Sequence, residues 1–205
     1  MEIVLASRNT GKLNELKKLL SHLPVQVLSL EDVSIKEELV EDAGTYEGNA
    51  IQKALAASKA SGRLAVGDDS GLEIDALKGE PGPYSARFGG GILSDHEKNL
   101  RILNLLQEIP DDRRGAAFRC VVAIASPRGV LKVVEGICRG TIVRNPRGGG
   151  GFGYDPIFVP ADYHKTFAEL SPEIKNRISH RARALEKAAL FLDGYLRGSD
   201  GYSGL

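Results

Sequence analysis

Cysteine is scarce and net charge is absent. The 205 residues include two cysteines, Cys120 and Cys138, both within apolar or strand-like runs and neither part of a C-x-x-C pair. That pattern argues for buried free thiols in a reducing cytosol rather than for disulfides or a redox pair. Lysine plus arginine (27) equals aspartate plus glutamate (27), so no overall field holds a nucleic-acid backbone or an anionic membrane. Any bound anion must be held by local groups. No apolar run approaches the roughly 18 residues of a membrane span. The opening MEIVLASRN lacks a basic stretch followed by an apolar segment and a cleavage site. The expectation is a soluble cytoplasmic protein that binds neither nucleic acid nor membrane. No repeat of 20 to 50 residues is present.

Glycine is plentiful instead, with 24 residues gathered in FGGG and RGGGGFG rather than recurring at a period. Clustering of that kind points to functional loops. The length suits one domain with a sizeable core and two lobes. We expect residues 1–197 to form that domain and 198–205, GSDGYSGL, to be a frayed tail.

Strand-like EIVLA (2–6) is followed by SRNTG and then by KLNELKKLLSHL, where Leu13, Leu16, Leu20 and Leu23 recur at helical spacing. Strand, polar turn and amphipathic helix open a βαβ unit. VQVLSL is a second strand, EDVSIKEELVEDAG an acidic loop, and NAIQKALAASKAS a helix ended by Gly62. RLAVGDD and LEIDAL continue the sheet; KGEPGPYSARFGGG is a loop, and a helix capped at Ser94 follows. AAFRCVVAIAS and VLKVVEGICRGTIV, joined by PRG, read as a hairpin, and IFVP as a short strand. Together these predict an α/β fold with a mixed central sheet flanked by helices, two lobes, and an active site in the cleft between them.

Near the C-terminus, SPEIKNRISHRARALEKAALFL resembles a single helix starting at Ser171 and Pro172. At about 100° per residue, Lys175 would then sit roughly 140° from His180 and 240° from Arg181. A break at Ser179 removes the splay. Ser179 then caps a second helix with the stripe Leu185, Ala189, Leu192 and Leu196, leaving His180 and Arg181 in an exposed first turn.

Four segments carry polar chemistry. SRNTGK places backbone N–H groups at a helix N-terminus, a phosphate-favouring position, with Lys12, Arg8, Ser7 and Thr10 adding charge and hydroxyls. It is not a Walker A loop, since the upstream glycine is missing and Leu13 stands where Ser or Thr would touch magnesium. RGGGGFGYDP matches G-x-G-x-x-G, but Pro156 disfavours helix at Asp155, which excludes a Rossmann turn and leaves a flat-ligand loop with Phe152 and Tyr154. His96 lacks a zincin context, Ser70 lacks a nucleophile elbow, and His22 and His164 read as surface residues. The acids are Glu41 and Asp42 in the loop, and Asp68 and Asp69 in AVGDDSGLEIDAL. In an extended segment successive side chains point to opposite faces, so Asp68 and Asp69 cannot aim at one point. Parity alone does not say which of them faces a site.

SRNTGK, EDAGTYEGNAIQKA, DDSGLEIDALKGEPGPYSARF, GGFGYDPIFVP and KNRISHRARAL together resemble the inosine/xanthosine triphosphate pyrophosphatase family, in order and spacing, from residue 3 to about residue 190. The resemblance implies magnesium-dependent hydrolysis of non-standard purine triphosphates (ITP, dITP, XTP) to the monophosphate and pyrophosphate, by a homodimer. It implies Asp69 as proton acceptor and metal ligand, with Glu41 as second metal ligand. Ser7, Arg8, Asn9, Thr10, Gly11, Lys12 and Lys53 would hold the triphosphate. Ser70 would contact substrate, Phe152, Gly153, Tyr154 and Asp155 would receive base or sugar, and Lys175, His180 and Arg181 would read the purine edge. One departure is Gly48, where the family tends to carry an acid before the asparagine; a one-residue shift there would make Asp42 the ligand instead. Competing readings are a related pyrophosphatase for pyrimidine or modified nucleotides, and a non-catalytic nucleotide sensor.

Overall fold

Strand β1 (Glu2–Leu5) buries three consecutive residues, Ile3, Val4 and Leu5. Burial without alternation is the mark of a strand covered on both faces. In a computed structural model describing residues 1–90 and 93–198, β1 pairs in parallel with two neighbours. Glu2 lies opposite Gln26 of β2 (Gln26–Leu28), and Ile3 opposite Leu64 of β3 (Leu64–Ile74). The sheet has six strands in the order β2-β1-β3-β4-β5-β6. β4 (Gly115–Ser126) and β5 (Gly129–Ile142) are joined by residues 127–128, a link so short that only a hairpin can use it. β5 then pairs antiparallel with β6 (Phe158–Pro160), Gly140 opposite Pro160. Parallel and antiparallel ladders in one sheet, with helices beside it, make the expected mixed α/β fold.

Each helix starts where the sequence supplies an oxygen for its unpaired N–H groups. For α1 (Thr10–Leu19), Asn9 Oδ1 accepts from Lys12 N at 3.1 Å. For α2 (Tyr46–Ser61), Thr45 Oγ1 accepts from Gly48 N at 3.0 Å, and Gly62 ends the helix in the left-handed region at φ +68°. α3 (Asp95–Leu105) opens with a reciprocal capping box between Ser94 and Glu97. α4 (Pro172–Ile178) and α5 (His180–Leu196) are separated at Ser179, whose ψ of 156° is extended and whose hydroxyl accepts from Ala182 N at 3.2 Å. The inferred break is therefore present.

The chain divides into two compact units. The first comprises Met1–Asp69, Cys120–Glu135 and the chain from Arg183; its core includes Ile3, Leu16, Val66, Ile124, Leu185 and Leu192. The second comprises Ser70–Arg119 and Gly136–Ala182, around Leu72, Ile74, Ile102, Phe118, Phe158 and Phe167. The chain passes from the first unit to the second at the Asp69–Ser70 peptide bond, within β3. Cys120 and Cys138 are buried free thiols, as expected. Of the tail 198–205, only Gly198 falls within the described residues.

Candidate active site

In the first unit, the polar groups are organised by one face of α2. That helix lies close to β3 because residue 67 is glycine: a Cβ there would occupy the space of the Ala50 carbonyl and the Ala54 backbone. Just beyond the contact, Asp68 and Asp69 leave the strand in different directions, as period-two geometry requires. Asp68 Oδ2 pairs with Lys12 Nζ of α1 at 2.7 Å. Asp69 Oδ2 accepts from Asn49 Nδ2 of α2 at 2.9 Å. Both aspartates are buried. The alternation thus gives each acid its own partner, and Asp68 orients a cationic side chain.

Asn49 is also buried, and its Oδ1 accepts from Ala43 N at 3.0 Å, so one side chain ties the acidic loop to β3. One turn further on, Lys53 donates to Glu41 Oε1 at 2.5 Å and to the Asp68 carbonyl. Residues four apart share a helix face, about 5–6 Å between Cβ atoms. Asp69 and Glu41 are consequently held from neighbouring points of α2. Asp42 instead accepts from Gln52 Nε2 at 2.8 Å. Gly48, the departure from the family pattern, sits where a Cβ would crowd Ala43 Cβ and Thr45 Oγ1. The small residue lets the loop lie directly on the first turn of α2.

The turn from Ser7 to Lys12 is ordered by its own side chains. Asn9 N donates to Ser7 Oγ at 3.2 Å while Asn9 caps α1, which Thr10 and Gly11 begin. Arg8 Nη2 donates to three successive carbonyls of the acidic loop, Ile35, Lys36 and Glu37, at 3.2, 2.7 and 3.2 Å. Arg8 therefore fixes the segment leading to Glu41 against this turn. The donor set around Glu41 and Asp69 consists of carboxylate oxygens, which suits a hard cation such as magnesium. Among the described residues no group of three or more His, Cys, Asp or Glu could hold a metal alone. Two carboxylates are the usual protein share when phosphate oxygens and water supply the rest.

The second unit holds the remaining candidates. Its glycine loop wraps a buried carboxylate: Asp155 Oδ2 accepts from Phe152 N at 2.8 Å and pairs with Lys175 Nζ at 2.5 Å. Residue 151, at φ +74°, must be glycine, since a Cβ would overlap the Asp155 carboxylate. Tyr154 points into the core, its hydroxyl donating to the Ser85 carbonyl at 2.8 Å, and burial pushes that hydroxyl's pKa well up. Phe152 is 56% exposed, so it is the aromatic face this loop presents to solvent. Lys175 Nζ lies 4.5 Å and Arg181 Cζ 5.6 Å from its ring centroid, both within cation–π range.

His180 and Arg181 correct the sequence expectation of an exposed turn, since each is 7% exposed. Ser179 turns the start of α5 inward. His180 stacks on Phe118, centroids 4.7 Å apart and planes within 9°. Arg181 Nη2 donates to Ser70 Oγ at 3.4 Å, which joins Ser70 to the cluster. Sequence reading missed two contributors, Asp95 and Asn99 of α3. Gly153 N donates to Asp95 Oδ2 at 2.7 Å, and Asn99 Nδ2 donates to Gly153 O at 3.0 Å. An asparagine inside a helix, in phase with Ile102 and Leu106, was the available signal.

A sequence model described as the Ham1 family matches residues 3–191. The chain is 51% identical over 193 residues to a dITP/XTP pyrophosphatase of Desulforamulus reducens, covering 94% of this chain and 96% of that one. It is 44% identical over 192 residues to a dITP/XTP pyrophosphatase of Bacillus subtilis, covering 94% and 97%. Among solved structures, a HAM1 protein from Coxiella burnetii superposes with a TM-score of 0.88 at 41% identity, covering 94% of this chain and 98% of that one. The Staphylococcus aureus Ham1 protein gives 0.87 at 40% identity, covering 95% and 100%.

Proposed function

This chain belongs to the Ham1 family, and on that premise we propose that it hydrolyses inosine, deoxyinosine and xanthosine triphosphates to the monophosphate and pyrophosphate. The observation that carries the reading is the α2 face on which Asn49 holds Asp69 and Lys53 holds Glu41. A nucleotide sensor needs cations for phosphate; it does not need two carboxylates beside them.

The polar groups of the first unit suit the phosphate end of the substrate. Ser7, Asn9, Thr10, Gly11 and Lys12 offer backbone N–H groups, hydroxyls and a charge at the start of α1, with Arg8 securing the turn to the acidic loop. Asp68 keeps Lys12 oriented, and Lys53 adds a second cation. Asp69, fixed by Asn49, accepts the proton of the attacking water. Glu41 and Asp69 would hold magnesium together with phosphate oxygens, and the ion would supply charge neutralisation and lower the pKa of water there. Glu41 is favoured over Asp42 by its contact with Lys53, on the same helix face as Asn49.

The aromatic and donor groups of the second unit suit the base. Phe152 provides a stacking face, and the Asp155–Lys175 pair, Ser70, Gly153 and buried Tyr154 fix the loop around it. Lys175, His180 and Arg181 are donors, matching the 6-keto acceptor of hypoxanthine and xanthine. Adenine presents an amino donor there and leaves them unpaired, the stronger kind of discrimination. Guanine shares the keto group, so its rejection acts on the 2-amino group. A cytoplasmic homodimer, as the family resemblance implies, completes the proposal.

Incubation with ITP, XTP, GTP, ATP, dTTP and UTP, with products identified, tests this. Monophosphate and pyrophosphate from ITP and XTP, with ATP at least tenfold slower, is the expected result. Orthophosphate release, or equal turnover of ATP, would remove the assignment.

A further inference from the structure

Helix α3 grips the glycine loop at a single residue. Asp95 and Asn99, four apart and so on one face of α3, bond opposite ends of Gly153: Asp95 Oδ2 accepts from its N–H at 2.7 Å, and Asn99 Nδ2 donates to its carbonyl at 3.0 Å. Gly153 lies at φ +60°, between exposed Phe152 and buried Tyr154. Holding the two flanking peptides fixes the reversal that sends one aromatic outward and the other into the core.

Neither α3 residue is needed to make the helix. The capping box is complete without Asp95, since Ser94 and Glu97 satisfy each other's backbone N–H groups. Asn99 is a poor choice on helix-propensity grounds. It is 2% exposed, and its Oδ1 has no hydrogen-bond partner among the described residues. An apolar residue would fill the position without burying an unsatisfied acceptor. An acid in the first turn suits the helix dipole whichever oxygen it offers the loop, but stability alone does not explain buried Asn99; the loop it holds does.

We propose that Asp95 and Asn99 are positioning residues that set the geometry of the Phe152–Tyr154 loop and thereby the discrimination between hypoxanthine and guanine nucleotides. This rests on the proposed function of the same loop. Lys98 Nζ, 3.6 Å from Asp95 Oδ1 and bonded to the Ala86 carbonyl, helps orient the carboxylate.

Kinetics with ITP and GTP on the wild type, Asp95→Ala, Asp95→Asn and Asn99→Leu, with inorganic tripolyphosphate as a competitive inhibitor lacking a base, test it. Asp95→Ala and Asn99→Leu should raise KM for ITP about five- to tenfold, the scale of one lost hydrogen bond, and narrow the ITP:GTP ratio of kcat/KM. In both, kcat should stay within about threefold and the tripolyphosphate inhibition constant within about twofold, as expected for uniform binding lost at the base end alone. Asp95→Asn, which keeps an acceptor oxygen, should retain the wild-type ratio. A rise in the tripolyphosphate constant in step with KM would overturn the inference, because general disturbance then explains the loss. So would an unchanged ITP:GTP ratio in Asp95→Ala or Asn99→Leu. If the wild type itself makes no inosine monophosphate and pyrophosphate, the underlying function fails first and this inference with it.

Discussion

Lys53 ties the acidic loop to β3 in the first unit. It is 6% exposed and donates to both Glu41 and the Asp68 carbonyl. Lys53→Met keeps the aliphatic stem and removes both bonds. We expect about 1–3 kcal/mol of lost stability in denaturant unfolding and a fall in kcat/KM of about a hundredfold or more. Normal kcat/KM in this variant would show that Lys53 is structural only. Tyr154 yields a pH prediction. Burial, and secondarily the charge of Asp95, raise its pKa, so the folded state keeps a proton that the unfolded chain releases near pH 10. The resulting stability is complete below about pH 10 and is lost as the pH climbs beyond it. Tyr154→Phe should therefore show a shallower decline of unfolding free energy above about pH 10 than the wild type. An equal slope would contradict the shift.

Packing of α2 on β3 turns on one missing methyl group. Adding a Cβ at Gly67 drives it into the backbone of Ala50 and Ala54. Backbone cannot rotate away as a side chain does, so Gly67→Ala should cost about 1–3 kcal/mol and should lower activity by pushing Asn49 and Lys53 off their acids. Gly62→Ala has open space and only the left-handed φ to overcome, a penalty of about 1–2 kcal/mol, and it should leave KM unchanged. Thermal unfolding and ITP kinetics on the pair separate the two cases; an equal loss of activity would contradict the local account. Elements were legible from sequence where the cue is local. The β1–turn–α1 unit follows from EIVLA, Asn9 and leucine spacing, and the α4–α5 break from the phase of Lys175 against His180. The burial of His180 was not legible, because the ring that covers it, Phe118, lies on a distant strand. The pairing of Gly153 with α3 was hidden for the same reason.

Each of the two compact units holds its own set of functional groups, the first carboxylates and lysines, the second aromatic rings and donors. The sequence announced both through its motifs, and the adjacency of Asp68 and Asp69 already implied separate roles. Their separate partners are visible only in the fold: Lys12 takes Asp68, and Asn49 takes Asp69. Division of labour between a phosphate end and a base end is the central claim, and Asp69→Asn tests it most directly. Nucleotide affinity and turnover are measured on the same preparation, with ITP turnover for kcat and a non-hydrolysable ITP analogue for Kd. The account predicts a Kd within about threefold of wild type and a kcat lower by about a thousandfold or more, since the proton acceptor is gone while the base end is intact. A kcat within tenfold of wild type would contradict it.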